Sequence, residues 1–231
     1  MGHYAYRSFW ACRGYGKSVL GLGAVFFAVA ALWAMADWFA VANYRPSLEN
    51  TAKPAVMAVL AAAVFFVGDG SLRWFVVIAL VLSLLGDVLL LEKNDHFLGG
   101  LAAFLVAHVL YAIAFLGAIR ESFSPGLRLL GVAVASGLFF FAGLRIIGGA
   151  LDRDRRLGGA VAVYVGVLSI MVIAAWATGS VIALAGATIF AASDAALGWN
   201  RFVAPFPNGR LATHVLYHLG QGLLAGWAIG L

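Results

Sequence analysis

A single cysteine, Cys12, cannot form an intrachain disulfide, so nothing in the chain requires an oxidising compartment. Charge is scarce too: 11% of residues are charged, against roughly 25% in soluble domains. The net charge of +5 is spread over short loops, which suits membrane flanks and excludes the clustered footprint of a nucleic-acid binder. No polar stretch is long enough for a soluble domain; the longest are residues 1–18, 43–53, 151–156 and 201–210. Familiar catalytic motifs are incomplete. GYGKS at 14–18 ends like a phosphate loop but has Ala11 where that loop needs glycine, and HVLYH has Val215 where a zinc-protease helix needs glutamate. Ala34-Met35-Ala36 resembles a signal-peptidase site, yet its apolar run continues to Val41, longer than a usual signal core.

What the chain has in abundance is apolar length. Hydrophobic residues make up 64% of the sequence, and mean hydropathy is +0.98. About 20 residues at helical rise cross a bilayer, and eight runs approach that length: Val19–Val41, Pro54–Val67, Trp74–Leu91, Phe97–Ile119, Leu127–Gly149, Leu157–Thr178, Val181–Asn200 and Leu211–Leu231. The second is short. Backbone groups left unpaired in lipid are too costly for open irregular chain, so the runs are helices. The expectation is an all-α polytopic membrane protein of about eight transmembrane helices. It forms one domain over 1–231, with a basic segment at 1–18 and a helical bundle at 19–231. Asp95 and Ser124-Pro125 are suited to start the fourth and fifth helices. Most Lys and Arg fall on the side opposite the termini, but the basic segment before the first helix (Arg7, Arg13, Lys17) places the termini inside, in a bacterial-type inner or plasma membrane.

The tetrapeptide HVLY occurs twice, carrying His108 and Tyr111, then His214 and Tyr217. Each copy follows an aspartate in an apolar run, Asp87 and Asp194, by about 20 residues, the span of one crossing. Asp…HVLY in segments three–four and seven–eight points to two four-helix repeats, an arrangement that places sites at the shared interface. Segments three and seven cross in the same direction, so the two aspartates share a layer roughly 20 Å from the face where their helices start. His214, Tyr217, His218 and Gln221, at i, i+3, i+4 and i+7, descend into it on one helix face. Tyr164 approaches the layer from segment six, and Lys53, Arg145 and Arg201 sit at its rim. A carboxylate inside a bilayer costs about 2.5–3.5 kcal/mol on insertion scales and is a functional candidate by default.

Two blocks, SLLGDVLLL…FLGGLAAFLVAHVLYAIAF (83–115) and GATIFAASDAALGWNRF (186–202), resemble the signatures of the YhhN-like lysoplasmalogenase family. The matching positions include Gly86, Asp87, Phe104, His108 and Tyr111, then Ser193, Asp194 and Asn200. Lys53-Pro54, Tyr164, Tyr217 and Gln221 also fit the pattern, whereas residues 1–40 match nothing particular. The resemblance implies eight transmembrane helices and hydrolysis of the vinyl ether of lysoplasmalogens, with Asp87 and Asp194 as the catalytic pair. His108, Tyr111, Tyr164, Ser193, His214, Tyr217, His218 and Gln221 are supporting or proton-relay candidates. Lys53, Arg145, Asn200 and Arg201 are candidates for the substrate headgroup.

The chemistry is consistent with that pair. A vinyl ether resists base but yields to acid through an oxocarbenium ion, much as a glycoside does between two carboxyl groups. One aspartate must hold a proton, and the other must be ionised to stabilise the cation. No metal, nucleotide or other cofactor is required, and the expected partner is a lysophospholipid within the membrane, with no nucleic acid. Two other classes stay open on sequence alone. One is a proton-coupled transporter, given charged residues at depth in repeated halves. The other is a metal-dependent lipid hydrolase using His108, His214, His218 and an aspartate.

Overall fold

A computed structural model describes the backbone of residues 4–91, 96–119 and 125–231, and side chains from residue 21 onward within those ranges. The proposed helix starts at Asp95 and Ser124 lie outside the described residues. In chain order the helices are α1 (Tyr4–Ala42), α2 (Pro46–Val67), α3 (Arg73–Leu90), α4 (Phe97–Gly117), α5 (Pro125–Leu138), α6 (Leu144–Leu151), α7 (Arg155–Ala177), α8 (Val181–Phe202) and α9 (Gly209–Ala228). A π-turn, Phe139–Gly143, joins α5 to α6, so that residues 125–151 form one rod. Asp154 caps α7, its carboxylate accepting from the Leu157 amide at 2.8 Å, and Ser180 caps α8.

One boundary differs from the sequence expectation. The second helix is not short: it starts at Pro46 and runs 22 residues, with Pro54 inside it. Proline at the first helical position forfeits no hydrogen bond, and Pro54 costs one bond that the rest of the helix outweighs. Lys53 therefore lies two turns into α2 instead of at its start. The fifth segment is one span as expected, and its π-turn holds Phe139, Ala142 and Gly143 at the interior cavity.

Among the described residues, seven spans, from Gly21–Ala42 to Val181–Phe202, are long and apolar enough to cross a membrane. The 20-residue α9 falls below that hydropathy because of Arg210, His214, His218 and Gln221. Its position explains the tolerance: α9 packs against α8, α1, α2 and α3, with His214, His218 and Gln221 buried. Large apolar side chains such as Phe66, Val81, Leu129, Phe141 and Val163 cover the outside. The molecule is an integral membrane protein built as an all-helical bundle.

Close approach sets the inner layer. A Cβ on Gly86 would meet the Phe104 ring at 2.6 Å, so this α4 ring packs directly on the α3 backbone. Gly220 is tighter against backbone: its Cβ would meet the Phe190 nitrogen at 2.8 Å. These two pairings, α3 on α4 and α8 on α9, bring both aspartates to the centre.

Candidate active site

Asp87 on α3 is fully buried. Its Oδ1 stands 3.2 Å from Lys53 Nζ, and its Oδ2 accepts from the Tyr217 hydroxyl at 2.7 Å. Asp194 on α8 accepts from the Tyr164 hydroxyl at 2.6 Å and faces His108 Nε2 at 3.3 Å. His108 Nδ1 lies 2.6 Å from the Phe104 carbonyl. A carbonyl only accepts, so Nδ1 carries the hydrogen and Nε2 is the edge presented to Asp194.

The two motif copies serve opposite halves. His108, from the first HVLY, reaches the second aspartate; Tyr217, from the second, reaches the first. Tyr111 and Gln221 close the crossing, the Tyr111 hydroxyl donating to Gln221 Oε1 at 2.6 Å and Gln221 Nε2 donating to Ser83 Oγ at 3.0 Å. Behind the two partners lie the rings of Phe190, stacked on His108 at 4.7 Å between centroids, and Phe104, edge-on to Tyr217 at 5.9 Å.

Both aspartates line an interior cavity. Asp87, Ser193, Asp194, Tyr164 and Tyr217 line it, amid apolar side chains from α4, the α5–α6 rod and α7. A second cavity forms a polar vestibule at the end opposite the chain termini, lined by Tyr44, Glu49, Asn200, Arg201 and Arg210. Lys53, Leu90, Leu197, Thr213 and His214 line both cavities and form the neck between them. The arrangement offers an apolar chamber, a polar vestibule and two carboxyls in the chamber wall.

Not every candidate belongs there. Arg145 is exposed on α6, bonded to the Phe141 carbonyl one turn back, and lines neither cavity. Its long side chain satisfies its own helix and does not reach inward. Lys53, expected at the rim, reaches in to Asp87 because α2 starts earlier. Asn200 holds the loop after α8, its Oδ1 accepting from the Phe206 amide at 3.1 Å, and the Arg201 guanidinium lies 4.0 Å from the Phe97 ring centroid. His108, Tyr111, His218 and Gln221 stand behind the cavity walls. The four polar residues of α9 do not converge: Tyr217 and Gln221 turn to α3, whereas His214 and His218 turn to α1. The three histidines proposed as metal ligands are thereby split between Asp194 and Asp37.

Two carboxylates escaped the sequence reading. Asp37 on α1 is fully buried, with Oδ2 at 2.7 Å from His214 Nδ1 and 3.8 Å from His218 Nδ1. Glu49 on α2 is buried and receives both oxygens' contacts from Arg210, at 2.7 and 2.9 Å. Asp37 was visible as an acid in an apolar run. Glu49 was hidden because its helix was expected to start at Pro54.

The sequence profile of the YhhN family matches residues 48–227. The chain belongs to the YhhN family. Among curated relatives, a pig protein named lysoplasmalogenase TMEM86B is 35% identical over 147 residues, covering 64% of this chain and 60% of the relative. Its human namesake is 35% identical over 146 residues, covering 63% and 59%. The cattle lysoplasmalogenase TMEM86A is 28% identical over 159 residues, covering 64% and 62%. The chain thus spans about 60% of the length of the curated relatives it matches. No solved structure matches it. The YhhN match takes in both aspartates, Lys53 and all of α9 but its last residue, and leaves Asp37 outside.

Proposed function

We propose that this YhhN-family protein hydrolyses the vinyl-ether bond of lysoplasmalogens, releasing a fatty aldehyde and glycerophosphoethanolamine or glycerophosphocholine. The observation that carries the reading is the pair of aspartates in the wall of an apolar chamber that joins a polar vestibule through a narrow neck. An alkenyl chain suits the chamber. The phosphate suits the vestibule, near Arg201 and Lys53. The ether oxygen then falls next to the neck, within the reach of the carboxyls.

The surroundings of the two aspartates divide their roles. Asp87 faces an ammonium and a phenol, both donors, and is the ionised member. Between Asp194 and His108 one proton must be shared, because a bare carboxylate and a bare imidazole lone pair at 3.3 Å would repel. That proton goes to the β-carbon of the vinyl ether, leaving an oxocarbenium ion that Asp87 stabilises. Water adds to the cation and gives up a proton to Asp87. Asp194 takes the hemiacetal hydroxyl proton while Asp87 returns its own to the departing glycerol oxygen, and both groups are restored. His108 and Tyr164 position Asp194; Lys53 and Tyr217 position Asp87.

We place the termini on the cytoplasmic side of a bacterial-type inner or plasma membrane, following the basic segment before α1. The vestibule then opens on the opposite face. The test of function is direct. Purified protein is given a 1-alkenyl lysophospholipid or its saturated 1-alkyl twin, and aldehyde is measured. Release from the first alone is the expected result; none from the alkenyl lipid refutes the reading.

A further inference from the structure

We infer that His214, held by Asp37, reads the free glycerol hydroxyl of the substrate and so restricts the enzyme to lyso lipids. The inference rests on the vinyl-ether reading above and adds a residue pair to it, one member of which lies outside the YhhN match.

The neck is where the glycerol backbone of a lysophospholipid would sit, between a phosphate in the vestibule and a chain in the chamber. Its hydrogen-bonding capacity is limited. Lys53 is a donor already turned to Asp87, Leu90 and Leu197 are apolar, and the Thr213 hydroxyl donates back to the Gly209 carbonyl at 2.9 Å. His214 offers the nitrogen acceptor. Its orientation is fixed from behind: Asp37 Oδ2 lies 2.7 Å from Nδ1, and a carboxylate there places the ring hydrogen on Nδ1. Nε2 is then the bare edge. Glu49 Oε1, 3.9 Å from Nε2, is already engaged by Arg210, so it demands no proton on Nε2.

An imidazole lone pair at that point accepts from a hydroxyl. A free 2-hydroxyl supplies the hydrogen; a 2-deoxy position supplies nothing, and a 2-O-methyl or 2-acyl oxygen has no hydrogen to give. A site that leaves its buried acceptor unpaired with the wrong ligand discriminates by roughly 10- to 100-fold. Asp37 acts as a positioning residue through His214.

The experiment compares kcat/KM for aldehyde release from a 1-alkenyl lysophospholipid, its 2-deoxy analogue and its 2-O-methyl analogue. With the wild-type protein we expect both analogues to fall about 10- to 100-fold, chiefly in KM. In His214→Leu the substrate-to-analogue ratio should collapse to within about threefold of one. Asp37→Asn, which fixes the ring less firmly, should lower the same ratio without lowering the melting midpoint in parallel, a pattern that loss of packing alone would not give. The inference is overturned if the wild type accepts the 2-deoxy analogue at parity, or if His214→Leu keeps the full ratio. Absence of aldehyde from every lipid would instead sink the vinyl-ether reading beneath it.

Discussion

Replacing Lys53 by methionine keeps the length of the side chain and removes its charge. Lys53 Nζ stands 3.2 Å from an aspartate with no exposed surface. At an effective dielectric constant near 20, two unit charges at that distance attract by about 5 kcal/mol. Breaking a buried pair by deleting one partner typically costs about 3–5 kcal/mol, because the other charge is left uncompensated. Tyr217 still donates to Oδ2, but Oδ1 has no hydrogen-bond partner to replace the ammonium. Lys53→Met should therefore lower the melting midpoint in detergent by roughly 6–20 °C, and aldehyde release should fall at least about 100-fold. The diagnostic arm is the double variant Lys53→Met/Asp87→Asn. With no carboxylate left to compensate, it should recover about half or more of the lost stability while staying inactive. A double variant that melts as low as Lys53→Met alone would show that the lysine matters for packing and that the pair is not what holds the site.

Asp194→Asn keeps an oxygen for the Tyr164 hydroxyl and presents an amide to His108, so the fold should survive while turnover falls about 10²- to 10⁴-fold; near-normal turnover would remove Asp194 as the acid. Gly220→Ala drives a methyl into the Phe190 backbone and should cost about 1–3 kcal/mol, whereas Gly222→Ala, with nothing within 4 Å, should melt like the wild type; paired thermal melts decide it. Gln221→Leu unmakes the Tyr111 and Ser83 bonds and should cost about 1–3 kcal/mol, with a smaller effect on KM because Gln221 does not line the cavity.

Membrane class and the two aspartates were legible because both are properties of single segments: an apolar run long enough to cross, and an acid where lipid makes acid costly. What could not be read was who faces whom. Tyr217 and His108 each serve an aspartate on a helix far away in the chain, a choice set by how the α3–α4 and α8–α9 hairpins interlock. Lys53 looked like a flank because Pro54 looked like a helix start; with Pro46 in that role, the lysine moved inside. Arg145 went the other way, since an arginine side chain can satisfy itself on its own preceding turn. Asp37 stood in plain view in α1, but its role depends on a partner 177 residues later.

The crossed supply of side chains bears on how the molecule could be taken apart. Cut between α4 and α5, the first fragment would keep Asp87 without its tyrosine, and the second would keep Asp194 without its histidine. Neither piece could work alone, even if each inserted correctly, and activity should return only when both are made in the same membrane.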